Sequence, residues 1–212
     1  MSRARTDLTP LARAEREDLA DLLESLAPEQ WEAPTLCERW RVREVAAHVV
    51  SYDDLGRGGF LRALARARFS GERANDACLA PFAELDPEDL VAAVRARTTP
   101  AGLTAGFGGR VALVDWIIHQ QDLRRPLGLP RTVPAERLRP ALDFARFAPP
   151  IRAFPRIRGL RLVADDLDWA AGKGPEVRGP GEALLLAMAG RRGVTGELTG
   201  PGVPTLAARI DG

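Results

Sequence analysis

The segment LVDWIIHQQDLRR (residues 113–125) combines the apolar period of a helix with ionisable side chains on the apolar face. With Asp115 taken as zero on a helix of about 100° per residue, His119 lies at about 40° and Asp122 at about −20°. Ile118 falls at about −60°, so the polar and apolar residues share one arc. An ionisable group that faces a core is costly unless it is paired or bound to a ligand. The segment therefore predicts a polar site inside a helical protein.

The first two thirds of the chain have the pattern of a helical bundle. Apolar residues recur with helical spacing, and Asp86 ahead of Pro87 is a typical helix start. Residues 98–110 are rich in Gly and Thr and predict a flexible loop. We expect helices over residues 7–26, 42–55, 59–69, 86–97, 111–125 and 134–147. The three prolines of APPIRAFPRIRG (residues 148–159) then end the pattern. We place a domain boundary there, with a bundle over residues 1–148 and a second domain over residues 149–212.

The second domain has a mixed pattern. LRLVADD (residues 160–166) alternates like a strand, and DWAAGKGPEVRG (residues 168–179) predicts a hairpin with glycines in its turn. PGEALLLAMAG (residues 180–190) predicts a short apolar helix, and residues 196–210 predict one or two closing strands. The fold class is therefore mainly α, a helical bundle followed by a small α/β domain.

Charge and hydropathy exclude several function classes. The formal net charge of +1 gives no reason to expect nucleic acid or an anionic membrane as a partner. No apolar run approaches the roughly 20 residues that a bilayer span needs. The start of the chain lacks the apolar middle of a signal peptide, so we expect a cytoplasmic protein. Cys37 and Cys78 form no CxxC pair, and two reduced thiols are expected. Cys37 is expected to pack as a small apolar residue.

The two histidines of the chain both lie on predicted core-facing helices. Asp115 and His119 are at i and i+4, a spacing that points both side chains at one site. His48 lies on the second predicted helix, beside an apolar stripe. If these helices face each other, the three side chains meet, and two histidines with one carboxylate are typical of a catalytic metal site with an open position. A histidine taken alone on an apolar face is more often a hydrogen-bonded core residue than a ligand. The pattern leaves both interpretations open.

Two acidic residues are candidates for supporting this site. Asp122 can be a third ligand, a partner that orients His119, or half of a salt bridge with Arg124 or Arg125. We favour the orienting role, because a metal-bound imidazole usually donates its other N–H to such a group. Glu44, one turn before His48, has the same choice, and the alternative for it is a solvated helix face.

Two motifs carry a resemblance to a known family. PTLCERWRVREVAAHVV (residues 34–50) and VDWIIHQQDLRRPLG (residues 114–128) resemble the mycothiol-dependent maleylpyruvate isomerase family, part of the DinB-like metal-binding bundles of actinobacteria. VRGPGEALLLAMAGRR (residues 177–192) is similar to the small C-terminal domain of that family. The resemblance implies a DinB-like four-helix bundle that holds a divalent metal, usually zinc. It also implies that the metal ligands are His48, Asp115 and His119, with Asp115 in place of the usual glutamate and one methylene shorter.

The resemblance also implies an activity. In the family the metal binds the thiol of mycothiol, and a cation stabilises the thiolate that attacks the substrate. We therefore expect isomerase or S-transferase chemistry on a small electrophile, by a monomer or small homo-oligomer. The alternatives are a non-catalytic metal- or small-ligand-binding member of the same fold and an oxygen-activating iron enzyme. For an anionic substrate, Arg191, Arg192 and Arg209 are weak candidates, since an arginine in so arginine-rich a chain is more often solvated surface.

Overall fold

A computed structural model describes residues 6–53, 55–68 and 70–212. It divides into two compact units, Met1–Pro130 and Arg131–Gly212. The helices of the first unit are α1 (Thr9–Glu24), α2 (Val42–Ser51), α3 (Arg57–Arg66), α4 (Gly71–Leu79), α5 (Pro87–Ala96) and α6 (Arg110–Arg124). The second unit contains α7 (Ala135–Ala145), α8 (Ala153–Ile157), β1 (Arg161–Ala164), β2 (Ala170–Gly172), β3 (Glu176–Gly179), α9 (Gly181–Ala189) and α10 (Val203–Ile210).

Four helices of the first unit form its bundle. α1 packs on α5 and α6, and α2 packs on the same two helices, while α3 and α4 are attached through α4 to α2. The chain has the local signals that these helices need. Asp86 accepts a hydrogen bond from the backbone of Asp89 at the start of α5. α6 begins after Gly109, which has φ of +77° and approaches the backbone of Thr9 so closely that a Cβ would lie 2.7 Å from its nitrogen. The expected mainly helical fold class is confirmed.

The second unit contains a three-stranded sheet of order β2-β1-β3. β1 pairs antiparallel with β2 and parallel with β3, and α9 packs against α7 and against both β1 and β3. The sequence pattern assigns α7 to the end of the bundle, but its packing on α9 lies within the second unit. The domain boundary at residues 148–149 stays a prediction.

The predicted hairpin over residues 168–179 is wrong, because β2 and β3 lie on opposite sides of β1. The connecting segment passes around the start of β1 at very short range. A Cβ on Gly172 would lie 2.2 Å from the carbonyl oxygen of Leu160, and one on Gly174 would lie 2.1 Å from that of Gly159. The glycines that suggested a hairpin turn therefore serve this close passage.

The predicted closing strands over residues 196–210 are also wrong. The segment ends as α10, which has Pro204 in its first turn and buries Leu206 and Ile210, four residues apart, on one face. Thr199 alone forms an isolated bridge, to Arg178. Among the described residues, no helix is long and apolar enough to cross a membrane.

Candidate metal centre

His48 from α2 meets Asp115 and His119 from α6, because these two helices pack against each other in the bundle. The Nε2 atom of His119 lies 3.5 Å from Asp115 Oδ1, and the Nε2 atom of His48 lies 3.9 Å from the same oxygen. The candidate ligand atoms of the three side chains all lie within 4.8 Å of one another. Both imidazoles are nearly buried, whereas Asp115 keeps one third of its side-chain surface, 33%, exposed. The centre is therefore enclosed by the histidines and open beside the carboxylate.

Aromatic rings enclose His48. The indole of Trp40 lies 4.7 Å from its ring centroid in a tilted arrangement, and the ring of Tyr52 approaches at 5.4 Å, edge to face. The Tyr52 hydroxyl is in turn hydrogen-bonded to the side chain of Asn75 on α4. The two imidazoles are 4.8 Å apart and nearly perpendicular. These contacts restrict the rotation of the His48 ring and keep water from one side of it.

Asp122 lies on the opposite side of His119 from the centre. Its Oδ2 atom is 2.9 Å from His119 Nδ1, and the Asp122 side chain is completely buried. A carboxylate accepts only, so the histidine donates from Nδ1 and its Nε2 atom faces Asp115 and His48. The expected contact between Asp122 and His119 is present.

The charges of the centre are strongly coupled. Burial alone raises the pKa of Asp115, but the two imidazoles outweigh it, and the pKa lies well below the usual range for a carboxyl. Burial alone lowers the pKa of His119, but the carboxylates of Asp115 and Asp122 outweigh it, and the pKa lies well above its ordinary value. The shifted pKa values thus favour a positively charged His119 beside a negatively charged Asp115.

The donor set fits a divalent cation of the zinc type. Tetrahedral zinc with bonds of about 2.0–2.1 Å separates its ligand atoms by about 3.3 Å, close to the observed 3.5 Å and somewhat below the 3.9 Å. The shorter side chain of Asp115 reaches both imidazoles. Three protein ligands would leave a fourth position, and the exposed side of Asp115 is where a further ligand can enter.

Glu44 and three arginines are the other predicted site residues. Glu44 binds Arg41, accepting hydrogen bonds from its backbone and guanidinium at the start of α2, so the structure does not bring it to His48. Arg191, Arg192 and Arg209 belong to the second unit. Arg209 donates to the backbone carbonyls of Arg156 and Arg158 within that unit.

Cys37 has polar contacts that no sequence pattern predicts. Its thiol donates to Asp122 Oδ2 across 3.1 Å and lies 3.8 Å from His119 Nδ1. Cys37, His119 and Asp122 form a second group whose candidate ligand atoms lie within 4.8 Å of one another. The expectation of a purely apolar cysteine is therefore wrong. The residue lies in the loop before α2, and only the docking of that loop on α6 reveals its neighbours.

Comparisons with known proteins show what the fold resembles. Residues 12–101 match the family model described as the mycothiol maleylpyruvate isomerase N-terminal domain. The crystal structure of the mycothiol-dependent maleylpyruvate isomerase superposes with a TM-score of 0.60 at 20% identity, over 91% of each chain. The chain has the maleylpyruvate isomerase fold. A histidine-to-alanine mutant of that isomerase gives a TM-score of 0.58, with the same identity and coverage. No curated protein matches the chain. The resemblance indicated by the sequence motifs is thereby confirmed. The family match includes His48 but ends before α6.

Proposed function

We propose that the protein is a cytoplasmic, metal-dependent enzyme that uses a low-molecular-weight thiol, mycothiol, in isomerase or S-transferase chemistry on a small electrophile. The observation that carries the proposal is the convergence of His48, Asp115 and His119 in the bundle of a maleylpyruvate isomerase fold. A divalent cation, in our proposal zinc, supplies at such a centre the stabilisation of a thiolate over a thiol that this chemistry needs.

Each side chain of the centre has a defined task in this proposal. His48 and His119 offer their Nε2 atoms and Asp115 offers a carboxylate oxygen. Asp122 accepts a hydrogen bond from the Nδ1–H of His119 and so keeps the Nε2 lone pair available. Trp40 and Tyr52 pack on His48 and exclude water from that side. The partly exposed side of Asp115 is the direction from which thiol and substrate approach.

The test compares metal content and thiol response in matched variants. We expect purified protein to contain about one equivalent of zinc, and His48→Ala, His119→Ala and Asp115→Asn to lower zinc affinity by more than about 100-fold, beyond the range for outer partners of a ligand. Glu44→Gln is the matched control. The Glu44 carboxylate pairs with Arg41, so we expect this substitution to leave zinc affinity unchanged. Elemental analysis measures the zinc content, and competition with a chelating dye measures the zinc affinity.

The thiol is then added to the zinc-loaded protein. Ligation of sulfur, seen by X-ray absorption, followed by thiol-dependent isomerisation of maleylpyruvate or conjugation of an electrophile, supports the enzyme. Zinc that stays in all three variants excludes the proposed centre. Zinc that is bound at the centre but does not respond to the thiol favours the non-catalytic binder instead.

A further inference from the structure

One oxygen atom of the buried Asp122 receives two donors. His119 Nδ1 lies 2.9 Å from Asp122 Oδ2, and Cys37 Sγ lies 3.1 Å from the same atom. A carboxylate oxygen accepts both, so the thiol and the imidazole share one acceptor. We propose that Cys37 is a positioning residue for the metal centre, which holds Asp122 in the orientation that fixes His119. This inference rests on the proposed function, because His119 is one of the three proposed ligands.

The loop that carries Cys37 is itself fixed to α6. The backbone N–H of Leu36 donates to the carbonyl oxygen of Asp122 across 3.1 Å. The hydroxyl of Thr35 accepts from the N–H of Cys37 at 3.0 Å and donates to the carbonyl of Trp40 at 2.7 Å. The N–H of Trp40 donates back to the carbonyl of Cys37 at 2.7 Å. The thiol therefore meets Asp122 from a loop that its own hydrogen bonds hold in place.

Two sets of side chains around His119 are candidate ligands for a cation. His48 and Asp115 lie beside Nε2, and Cys37 and Asp122 lie beside Nδ1. The separations at Nδ1 are those of hydrogen bonds with a proton between donor and acceptor. A cation bound by Cys37, His119 and Asp122 would have to displace both protons and widen the 2.9 Å nitrogen–oxygen separation towards about 3.3 Å. The separations around Nε2 already lie above that value. The geometry thus favours a cation at Nε2 and a hydrogen bond to Asp122 at Nδ1. Cys37 is then a hydrogen-bond donor to Asp122 and not a metal ligand.

The expected effect of removing the Cys37 thiol follows from its contact with Asp122. Removing the thiol takes away a donor to Asp122 Oδ2, so that oxygen is held less firmly in the orientation that accepts from His119 Nδ1. Loss of an outer hydrogen-bonding partner of a metal ligand lowers metal affinity by about 10–100-fold. Because Cys37 acts through Asp122, we expect the lower end, about tenfold.

Three single variants of the full chain separate positioning from packing. Cys37→Ala removes the donor, Cys37→Ser keeps a donor in a slightly shorter side chain, and Ser25→Ala, which removes a hydroxyl that donates to the carbonyl of Leu22 at the end of α1, is the control. We expect zinc affinity to fall about tenfold in Cys37→Ala, to return towards wild type in Cys37→Ser and to stay unchanged in Ser25→Ala. The cobalt-loaded proteins should show the same order in their d–d absorption spectra.

A second measurement, the exchange rate of the His119 ring proton, does not require bound metal. With ¹⁵N-histidine labelling, the chain gives ring signals from only two residues, and His48→Ala assigns them. In metal-free protein we expect a slowly exchanging Nδ1 proton on His119 that exchanges faster in Cys37→Ala and is restored in Cys37→Ser. If wild type binds no zinc, the proposed function fails while this signal still decides the role of Cys37. Equal exchange in all variants overturns the inference. A sulfur-to-cobalt charge-transfer band that is lost in Cys37→Ser also overturns it, because Cys37 is then a ligand.

Discussion

The two nitrogens of His119 have different partners, and this difference organises the centre. Nδ1 faces the buried Asp122, while Nε2 faces Asp115 and, beyond it, His48. A histidine without the Asp122 contact could present either nitrogen, because the two neutral tautomers differ little in energy. The carboxylate three residues along the same helix therefore selects the nitrogen that the centre uses.

Proton binding at this histidine gives the metal-free protein a specific pH dependence. The raised pKa of His119 stabilises the fold fully below the ordinary value of 6.5, and this contribution is lost as the pH rises through the folded pKa. The lowered pKa of Asp115 stabilises the fold above 3.8, and that contribution is lost as the pH falls through the folded pKa. We expect the difference in free energy of unfolding between wild type and His119→Gln to be largest between these two values and to shrink at alkaline pH. Urea titrations of the metal-free proteins measure it.

Zinc affinity should follow the opposite trend, because a cation needs the Nε2 lone pair that the proton occupies. It should rise with pH until His119 is neutral in the metal-free protein. An advantage of wild type over His119→Gln that grew with pH in the absence of metal would contradict the assigned charges.

At the level of elements, Arg16 on α1 contacts three neighbouring helices of the first unit. Its guanidinium is completely buried and lies 3.0 Å from Asp53 Oδ2. It also donates to the carbonyl oxygens of Val49 and Arg97 and lies 3.6 Å over the ring of Trp116. Trp116 follows Asp115 on α6, so one side chain of α1 contacts α6 and the ends of α2 and α5. Arg16 thereby sets the relative position of the helices that carry the ligands.

Removing the positive charge of Arg16 should strongly destabilise the fold. Arg16→Met leaves the buried Asp53 without its ion-pair partner, and we expect the free energy of unfolding to fall by about 3–5 kcal/mol. Arg13→Met on the same helix is the matched control, since Arg13 pairs with Glu17 at an exposed position and its loss should cost less than about 1 kcal/mol. Urea unfolding followed by circular dichroism compares them. Equal effects of the two variants would show that the buried pair adds nothing beyond a surface pair.

At the level of the whole molecule, the three proposed ligands all belong to the first unit, and its helices α2 and α6 carry them. A ligand that binds only the folded state stabilises it, by about 2.7 kcal/mol at 100 times its dissociation constant. The stabilisation should be strongest in the elements that supply the contacts.

Hydrogen exchange of the full chain can locate that stabilisation. We expect zinc to slow amide exchange in α2 and α6 and in the loop over residues 35–40, which docks on α6 at Asp122. The amides of α9 provide an internal reference, because α9 carries no proposed ligand. Protection that appeared in α9 and not in α2 or α6 would contradict the location of the centre.

Much of this architecture follows from local signals. Helical periodicity and the Asp86 start predict α5, and the apolar arc of residues 113–125 predicts α6 with its polar trio on one face. The alternation of residues 160–166 predicts β1. Signals that depend on a few glycines and prolines were less reliable. Gly172 and Gly174 suit a hairpin turn as well as a close passage around β1, and the choice between them depends on a distant strand.

The sequence by itself determined that Asp115, His119 and Asp122 share a helix face, because a helix repeats every 3.6 residues whatever surrounds it. It also indicated that His48 lies on a second core-facing helix. Tertiary structure alone decided the rest. Packing of α2 on α6 brought His48 to Asp115, a loop docked on α6 placed the Cys37 thiol at Asp122, and Arg41 kept Glu44 at the surface. These contacts join residues whose separation along the chain has no period, so long-range packing and not local propensity selects them.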